Sequence, residues 1–148
     1  MFHANDILRL SQRNKGFAWN ICRRHRVKQG ESIKIFCSYA HEDRLFAQQL
    51  ETHFALLKRL NPRVFWTHSE IRAGDEREQT IGEQLGTAQV ILLLVGPDFI
   101  NSQYCYTKEM KRAIERHERR EAVVIPVLLR PFAFWKHAPF SKLQALPE

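Results

Sequence analysis

VILLLVGPDFINSQYCYTKEMKRAIERHERR, residues Val90 to Arg120, decides how the rest of the chain is read. It opens with an unbroken aliphatic run, Val90 to Val95, too short for a membrane span and typical of a strand covered on both faces of a parallel sheet. Gly96-Pro97-Asp98 closes that run. From Ser102 the spacing turns helical: Tyr106, Met110, Ala113 and His117 share one stripe, and Lys108, Lys111, Arg112, Glu115 and Arg119 lie elsewhere. A helix that opens at the carboxyl end of a buried strand stands where open α/β sheets bind ligands. Glu109, near Tyr104 and Tyr106, falls in its first turns. Two readings fit this carboxylate: ligand chemistry, or a solvated acid placed where the helix dipole favours negative charge.

The flanking sequence repeats the strand-then-helix pattern. Ile33, Ile35, Phe36 and Cys37 make a short β-rich run that ends at Ser38-Tyr39. A helix is expected from Arg44 to Arg59, with Phe46, Leu50, Phe54 and Leu57 on its stripe and Leu45 and Leu56 widening it. Asn61-Pro62 stops that helix, and Arg63 to Thr67 is a second strand. His68 to Glu76 (HSEIRAGDE) is a loop, with Gly74 where a positive φ is cheap. A helix from Glu76 to Thr87 buries Ile81, Leu85 and Ala88. Ala122 to Leu129 (AVVIPVLL) is a fourth strand, and its Pro126 favours an edge position or a bulge. The order β-α-β-α-β-α-β predicts an α/β fold, a doubly wound parallel sheet with helices on both faces. The aromatic stretch after Pro131 reads as loop, and one more αβ unit needs roughly 30 further residues. The sheet is therefore expected to lack its last strand and helix, the domain being C-terminally truncated.

A chain of 148 residues, 44% hydrophobic and 26% charged, fits one ordinary globular domain. Its net charge of +7 raises the question of nucleic acid. The charge sits mainly in residues 1–32, which carry seven Lys/Arg against Asp6 and Glu31. Residues 33–148 hold 16 basic and 14 acidic side chains, so nucleic acid is not an expected partner of the main domain. Residues 1–32 are read as a basic arm or linker, with short amphipathic patterns around Ile7-Leu8 and Ile21-Cys22 and the cluster Arg23 to Lys28. Three cysteines (Cys22, Cys37, Cys105) have no framework spacing, which points to a reducing, cytoplasmic setting.

Several chemistries are excluded. The chain has no G-x-x-x-x-G-K-[ST], no G-x-G-x-x-G and no G-x-S-x-G, so neither common phosphate loop nor a hydrolase elbow is present. Cys22 with His25, and Cys37 with His41, are isolated pairs, whereas structural zinc needs four ligands in recognisable spacing. No metal is expected. Cys105 near a helix start has two readings, a thiol of lowered pKa or a small packing residue.

In order and spacing, four blocks resemble the TIR (Toll/interleukin-1 receptor) domain of the bacterial type, over Ile33 to about Pro147. IFCSYAHED (Ile35 to Asp43) is similar to the first-strand box, and Trp66 to Glu76 to the BB loop after the second strand. Ile91 to Met110 resembles the third strand with the helix that bears the family's catalytic Glu. Val124 to Pro131, with FSKLQALP downstream, resembles the fourth strand and its continuation.

The resemblance implies a flavodoxin-like fold and, as in many bacterial and plant members, cleavage of NAD+ at the nicotinamide-ribose bond. Glu109 takes the position of the catalytic Glu. Phe36, Ser38, Tyr39 and His41 at the first-strand end, and Arg72, Gly74 and Glu76 in the BB loop, would border the nucleotide. Tyr104, Cys105 and Tyr106 would flank it, with a tyrosine stacking on a base. NAD+ is then a substrate and no separate cofactor is implied; the implied partners are other TIR domains in a homo-oligomer, in defence signalling. The alternative is a non-catalytic signalling scaffold or an inactive fragment. Three positions depart from the family pattern: Cys105 replaces a Trp, Thr67-His68 fill a place that is commonly acidic, and Arg77 replaces an aromatic.

Overall fold

The computed structural model describes residues 33–146 apart from Tyr104 and Phe134. The arm 1–32, with Cys22 and His25, therefore lies outside the described residues. Four strands, β1 (Ile35–Ser38), β2 (Phe65–Trp66), β3 (Val90–Val95) and β4 (Val123–Leu128), form one sheet in the order β2-β1-β3-β4. All pairings are parallel, with Ser38 opposite Leu93 and Leu93 opposite Pro126. The helices between them are α1 (Arg44–Leu60), α2 (Arg77–Thr87), the short α3 (Pro97–Asn101) and α4 (Met110–Glu118). This is the doubly wound α/β architecture of flavodoxin-like domains, reversing direction between β1 and β3.

Strand alternation divides the core in two. Phe36, Ile91, Leu93 and Val95 face one side, with Ile81 and Leu85 of α2 and Met110 and Ala113 of α4. Cys37, Leu92, Leu94 and Val127 face the other, with Ala47 and Leu50 of α1. Every residue of β3 is buried, as expected of a strand covered on both faces. α2 and α4 are joined at their ends by Arg116, whose Nη1 donates to the carbonyls of Leu85 and Ala88, both at 2.6 Å. Those carbonyls belong to the end of α2, where a cation also meets the negative pole of the helix dipole.

Pro126 stands where its missing N–H costs nothing. The Leu146 N–H donates to the Pro126 carbonyl at 2.9 Å and the Leu128 N–H to the Leu146 carbonyl at 2.7 Å, so these positions of β4 face away from β3. Leu146 thereby forms a parallel bridge with Val127, the place that a fifth strand takes.

Three local expectations change. Leu45 and Leu56, expected to widen the buried stripe of α1, and Leu57, expected on it, are 66%, 67% and 46% exposed, because the helix lies on the sheet along Ala47 and Leu50. The helix expected from Ser102 is not continuous; α3 already starts at Pro97, and Cys105–Glu109 is a π-helical turn ahead of α4. The aromatic tail is not a free loop, since Ala138 and Phe140 are buried against the α2/α4 side of the core.

Candidate functional site

The site is built at the carboxyl ends of the strands. Ser38 closes β1 and is fully buried beside β3. The π-helical turn brings Cys105 and Glu109 inward on successive turns, and Met110 follows directly, so that Glu109 and Met110 are both buried. An α-helix throughout would turn neighbouring positions about 100° apart; the wider turn lets the carboxylate face inward while the next residue still fills the core. π-turns of this kind concentrate at functional sites. Ser102 Oγ accepts the Cys105 backbone N–H at 3.3 Å and caps the segment.

Glu109 is 1% exposed, the least expected environment for an acid. Ser38 Oγ donates to its Oε2. Its Oε1 lies 3.1 Å from His68 Nε2, but neither atom has a hydrogen-bond partner among the described residues: the two are close without the alignment of a hydrogen bond. His68 starts a 3-10 turn (His68–Glu70) that follows β2. The Thr67 side chain accepts the Ser69 N–H, and Lys58 of α1 pairs with Glu70 and, at 2.8 Å, with Glu51, so the turn is pinned to α1. The His68 ring stacks on Tyr39 at 5.1 Å and meets Phe36 and Trp66 edge-on, both at 6.1 Å; Phe36 itself stacks on Trp66 at 5.4 Å.

In front of this pair opens a cleft of about 420 Å³, within the usual range for a ligand pocket. Tyr39, His41, Arg44, Gln48, His68, Arg77, Ser102 and Cys105 line it, together with Ser69. Glu109 lies behind the lining formed by His68 and Cys105. Burial pushes the Tyr39 hydroxyl up from its ordinary value, and it pushes the Cys105 thiol up to about 11, helped by the charge of Glu109 and opposed by Ser102 and Arg77. Cys105 is therefore no activated nucleophile; it packs, and its Sγ contacts the Tyr39 carbonyl at 3.4 Å. Cys37 is fully buried in the other half of the core, and burial raises its thiol too.

The residues expected at the site separate into groups. Ser38 contacts Glu109; Phe36 supports His68; Tyr39, His41 and Cys105 line the cleft. Tyr106 packs half-buried against the core, and Tyr104 lies outside the described residues. Arg72, Gly74 and Glu76 are exposed and line no part of the cleft. Their loop is shaped by a reciprocal pair, in which the Arg72 N–H donates to Asp75 Oδ2 at 3.0 Å and the Asp75 N–H to the Arg72 carbonyl at 3.1 Å, with Gly74 at φ +94°. His68, Arg44, Gln48 and Arg77 were not among the expected site residues. Two of them, His68 and Arg77, occupy positions where the sequence departs from the TIR pattern, which was the one signal available for them.

A parallel α/β domain with a polar cleft at its switch point has the layout in which open α/β sheets bind ligands. The family is narrower: residues 35–146 match the model of the TIR domain, and the chain belongs to that family. It is 46% identical over 113 residues to the uncharacterized protein y4lF of Sinorhizobium fredii (strain NBRC 101917 / NGR234), a match over 76% of this chain and 35% of that protein. The chain thus spans about a third of that relative's length. No helix of the described residues is long and apolar enough to cross a membrane.

Proposed function

We propose that this chain is a TIR-domain NAD+ glycohydrolase, with Glu109 as its catalytic residue. The observation that carries the reading is the buried carboxylate, held by Ser38 on one oxygen and left without a hydrogen bond on the other, directly behind the cleft. A carboxylate in a dry site stabilises positive charge far better than one in water. In the reaction, the bond between ribose C1 and the nicotinamide nitrogen breaks, and its electron pair goes to the nitrogen. Nicotinamide leaves neutral. The ribose becomes oxocarbenium-like, Glu109 stabilises it, and water adds at C1 to give ADP-ribose and a proton. Capture by an internal nucleophile instead of water gives a cyclic variant. Tyr39 and His68 offer ring faces and edges for the flat leaving group.

The family resemblance favours assembly with other TIR domains as the trigger, in a cytoplasmic defence response. A BB loop whose tip, Arg72 to Glu76, is exposed and lines no part of its own cleft suits contact with a neighbouring copy. The test is release of nicotinamide from NAD+ by protein assembled at high density. Turnover by the wild type and its loss in Glu109→Gln are expected; equal inertness of both, also in a version extended beyond Glu148, would sink the enzyme reading.

A second reading, a non-catalytic TIR scaffold, draws on the exposed Leu45, Leu56, Leu57 and Leu60 of α1, an apolar face suited to a further TIR domain. It predicts that substitutions on this face abolish assembly while Glu109→Gln changes no signalling output.

A further inference from the structure

Water that adds to the ribose must lose a proton, and the cleft holds few groups able to take it. No carboxylate lines the space. Arg44 and Arg77 keep their protons at any working pH, and Gln48, Ser69 and Ser102 carry no basic atom. Burial pushes the Tyr39 hydroxyl and the Cys105 thiol upward, so these two stay protonated as well. Two histidines remain, His41 and His68. His41 is exposed and has no carboxylate against it among the described residues. His68 has Glu109 Oε1 3.1 Å from its Nε2.

Packing does not account for the polar edge of His68. Tyr39, Phe36 and Trp66 surround its ring, and a phenylalanine would serve those contacts equally. An imidazole instead sets Nε2 beside a buried carboxylate oxygen, and neither atom gains a hydrogen bond among the described residues. Buried polar atoms left in that condition cost the fold stability. Between a base and its orienting acid such contacts are often poorly aligned before substrate binds, and they tighten in the complex. A carboxylate only accepts, so a proton at this contact sits on Nε2 and leaves the lone pair on Nδ1. With Nε2 covered by Glu109, Nδ1 is the nitrogen that a molecule in the cleft can meet, since the 8%-exposed His68 side chain is part of the lining.

We propose that His68 is a second catalytic residue, the base that takes the proton of the attacking water, with Glu109 as its orienting acid. This rests on the NAD+ reading above and deepens it. Once the C1–N bond has broken and its electron pair has left with nicotinamide, the water oxygen bonds to C1 and one of its protons passes to Nδ1. The imidazolium faces the Glu109 carboxylate on its other side and later yields the proton to solvent. Acid, imidazole and nucleophile stand in the order that a catalytic triad uses. His68 thereby directs the oxocarbenium to water, and linear ADP-ribose is the main product.

The experiment compares two nucleophiles, because water needs a base and a pyridine nitrogen, with no proton to lose, does not. The full chain, assembled at high density, is given NAD+ with 3-acetylpyridine, and chromatography measures ADP-ribose and the base-exchanged dinucleotide from the same mixture. The wild type forms both. His68→Gln should lower ADP-ribose formation about a hundredfold, the scale of general-base catalysis, and keep exchange within about threefold. Glu109→Gln should lose both products, since breaking the C1–N bond needs its charge. The ratio within one mixture cancels any loss of folded protein, and His68→Ala, in which added imidazole should restore ADP-ribose formation, is a second variant. If hydrolysis and exchange fall together in both His68 variants, or neither changes, the inference falls and the NAD+ reading stands. A wild type that forms neither product, also when extended beyond Glu148, overturns the NAD+ reading and the base with it.

Discussion

Two acids are buried at the carboxyl edge of this sheet, Asp43 and Glu109, at 0% and 1% exposure, and they are treated differently. Asp43 follows β1 and accepts from Arg130 Nη2, which also reaches Asp98 Oδ2 at 3.1 Å. One guanidinium thereby ties together the segments that follow β1, β3 and β4. Burial still raises the Asp43 pKa above its ordinary value, with the charge of Arg130 as the main opposing effect. Among the described residues Glu109 has no guanidinium or ammonium partner; a serine hydroxyl and an imidazole lie against it. A buried acid with a guanidinium partner is committed to holding loops in place. In the function proposed above, one without such a partner is kept for a ligand, at a cost in stability that functional sites commonly bear.

Exchanging each acid for its amide separates the two roles most sharply. Glu109→Gln keeps the shape, removes the charge, and should lower NAD+ cleavage by at least about a thousandfold, the scale of losing a main electrostatic contact in a dry site. Its melting temperature should hold or rise, because an uncompensated buried charge is gone. Asp43→Asn should leave turnover within an order of magnitude and show its effect in thermal denaturation. A large loss of stability in Glu109→Gln, with activity retained, would reverse the assignment.

Next in size is the support of Glu109 by Ser38. Ser38→Ala removes the hydroxyl from Oε2 and leaves both carboxylate oxygens without a donor among the described residues. Losing one hydrogen bond to a charged group corresponds to about 1.5–3 kcal/mol, or roughly ten- to a hundredfold in kcat/KM. Ser38→Thr keeps the hydroxyl and should restore part of the rate. Equal rates for the Ala variant and the wild type would show that Glu109 needs no such holding.

The Asp43 side of the comparison breaks at Arg130. Arg130→Ala strands a buried carboxylate, and because Arg130 is half exposed the expected loss is about 2 kcal/mol at pH 7, below the range for a fully buried pair. The sign with pH follows from the direction of the shift. A carboxyl whose folded-state pKa lies above its unfolded value contributes stability while protonated and loses it as pH rises through the folded pKa. Removing Arg130 lifts the folded pKa further. The deficit of the variant should therefore be small below the ordinary Asp value of 3.8 and grow above it, as urea melts at a series of pH values would record. A deficit independent of pH would mean that Arg130 acts by packing alone.

The same contrast explains what could be read in the sequence. Elements whose side chains meet the sheet directly were legible: the all-aliphatic β3, and α2 with Ile81 and Leu85 inward. Pro126 announced an outer position on β4, and the N–H it lacks would indeed face away from β3. On α1 the pattern misled, because Leu45, Leu56 and Leu57 sit at helical spacing beside the true contact line, and hydrophobicity alone does not say how wide that line is. The π-turn was invisible, since one wider turn leaves no compositional mark. At the site, Glu109 was identified through the TIR resemblance, and Ser38 through the same strand box. Their contact joins residues 71 positions apart, which periodicity cannot reveal. His68 and Arg77 were visible only as departures. A lone histidine in a polar loop says nothing until the fold stacks it on Tyr39.

The smallest effect reports on how far the charge of Glu109 is felt at the cleft wall. Cys105 lies 5% exposed in the cleft wall, with its thiol pushed up to about 11 by burial first and by the charge of Glu109 second. At pH 8 its thiolate fraction is then about one part in a thousand, so iodoacetamide should modify the Cys105 peptide slowly, and faster as pH climbs towards 11. Glu109→Gln removes the second of the three causes that raise it, the third being the charge of Glu42. In that variant the thiol should titrate lower and alkylate several-fold faster at the same pH, while Asp43→Asn, whose charge is not among the causes, should leave the rate alone. Peptide-resolved mass spectrometry measures all three proteins in one series. An acceleration in Glu109→Gln alone would show that the negative charge behind the cleft is felt at its wall; identical rates would show that the wall does not feel it.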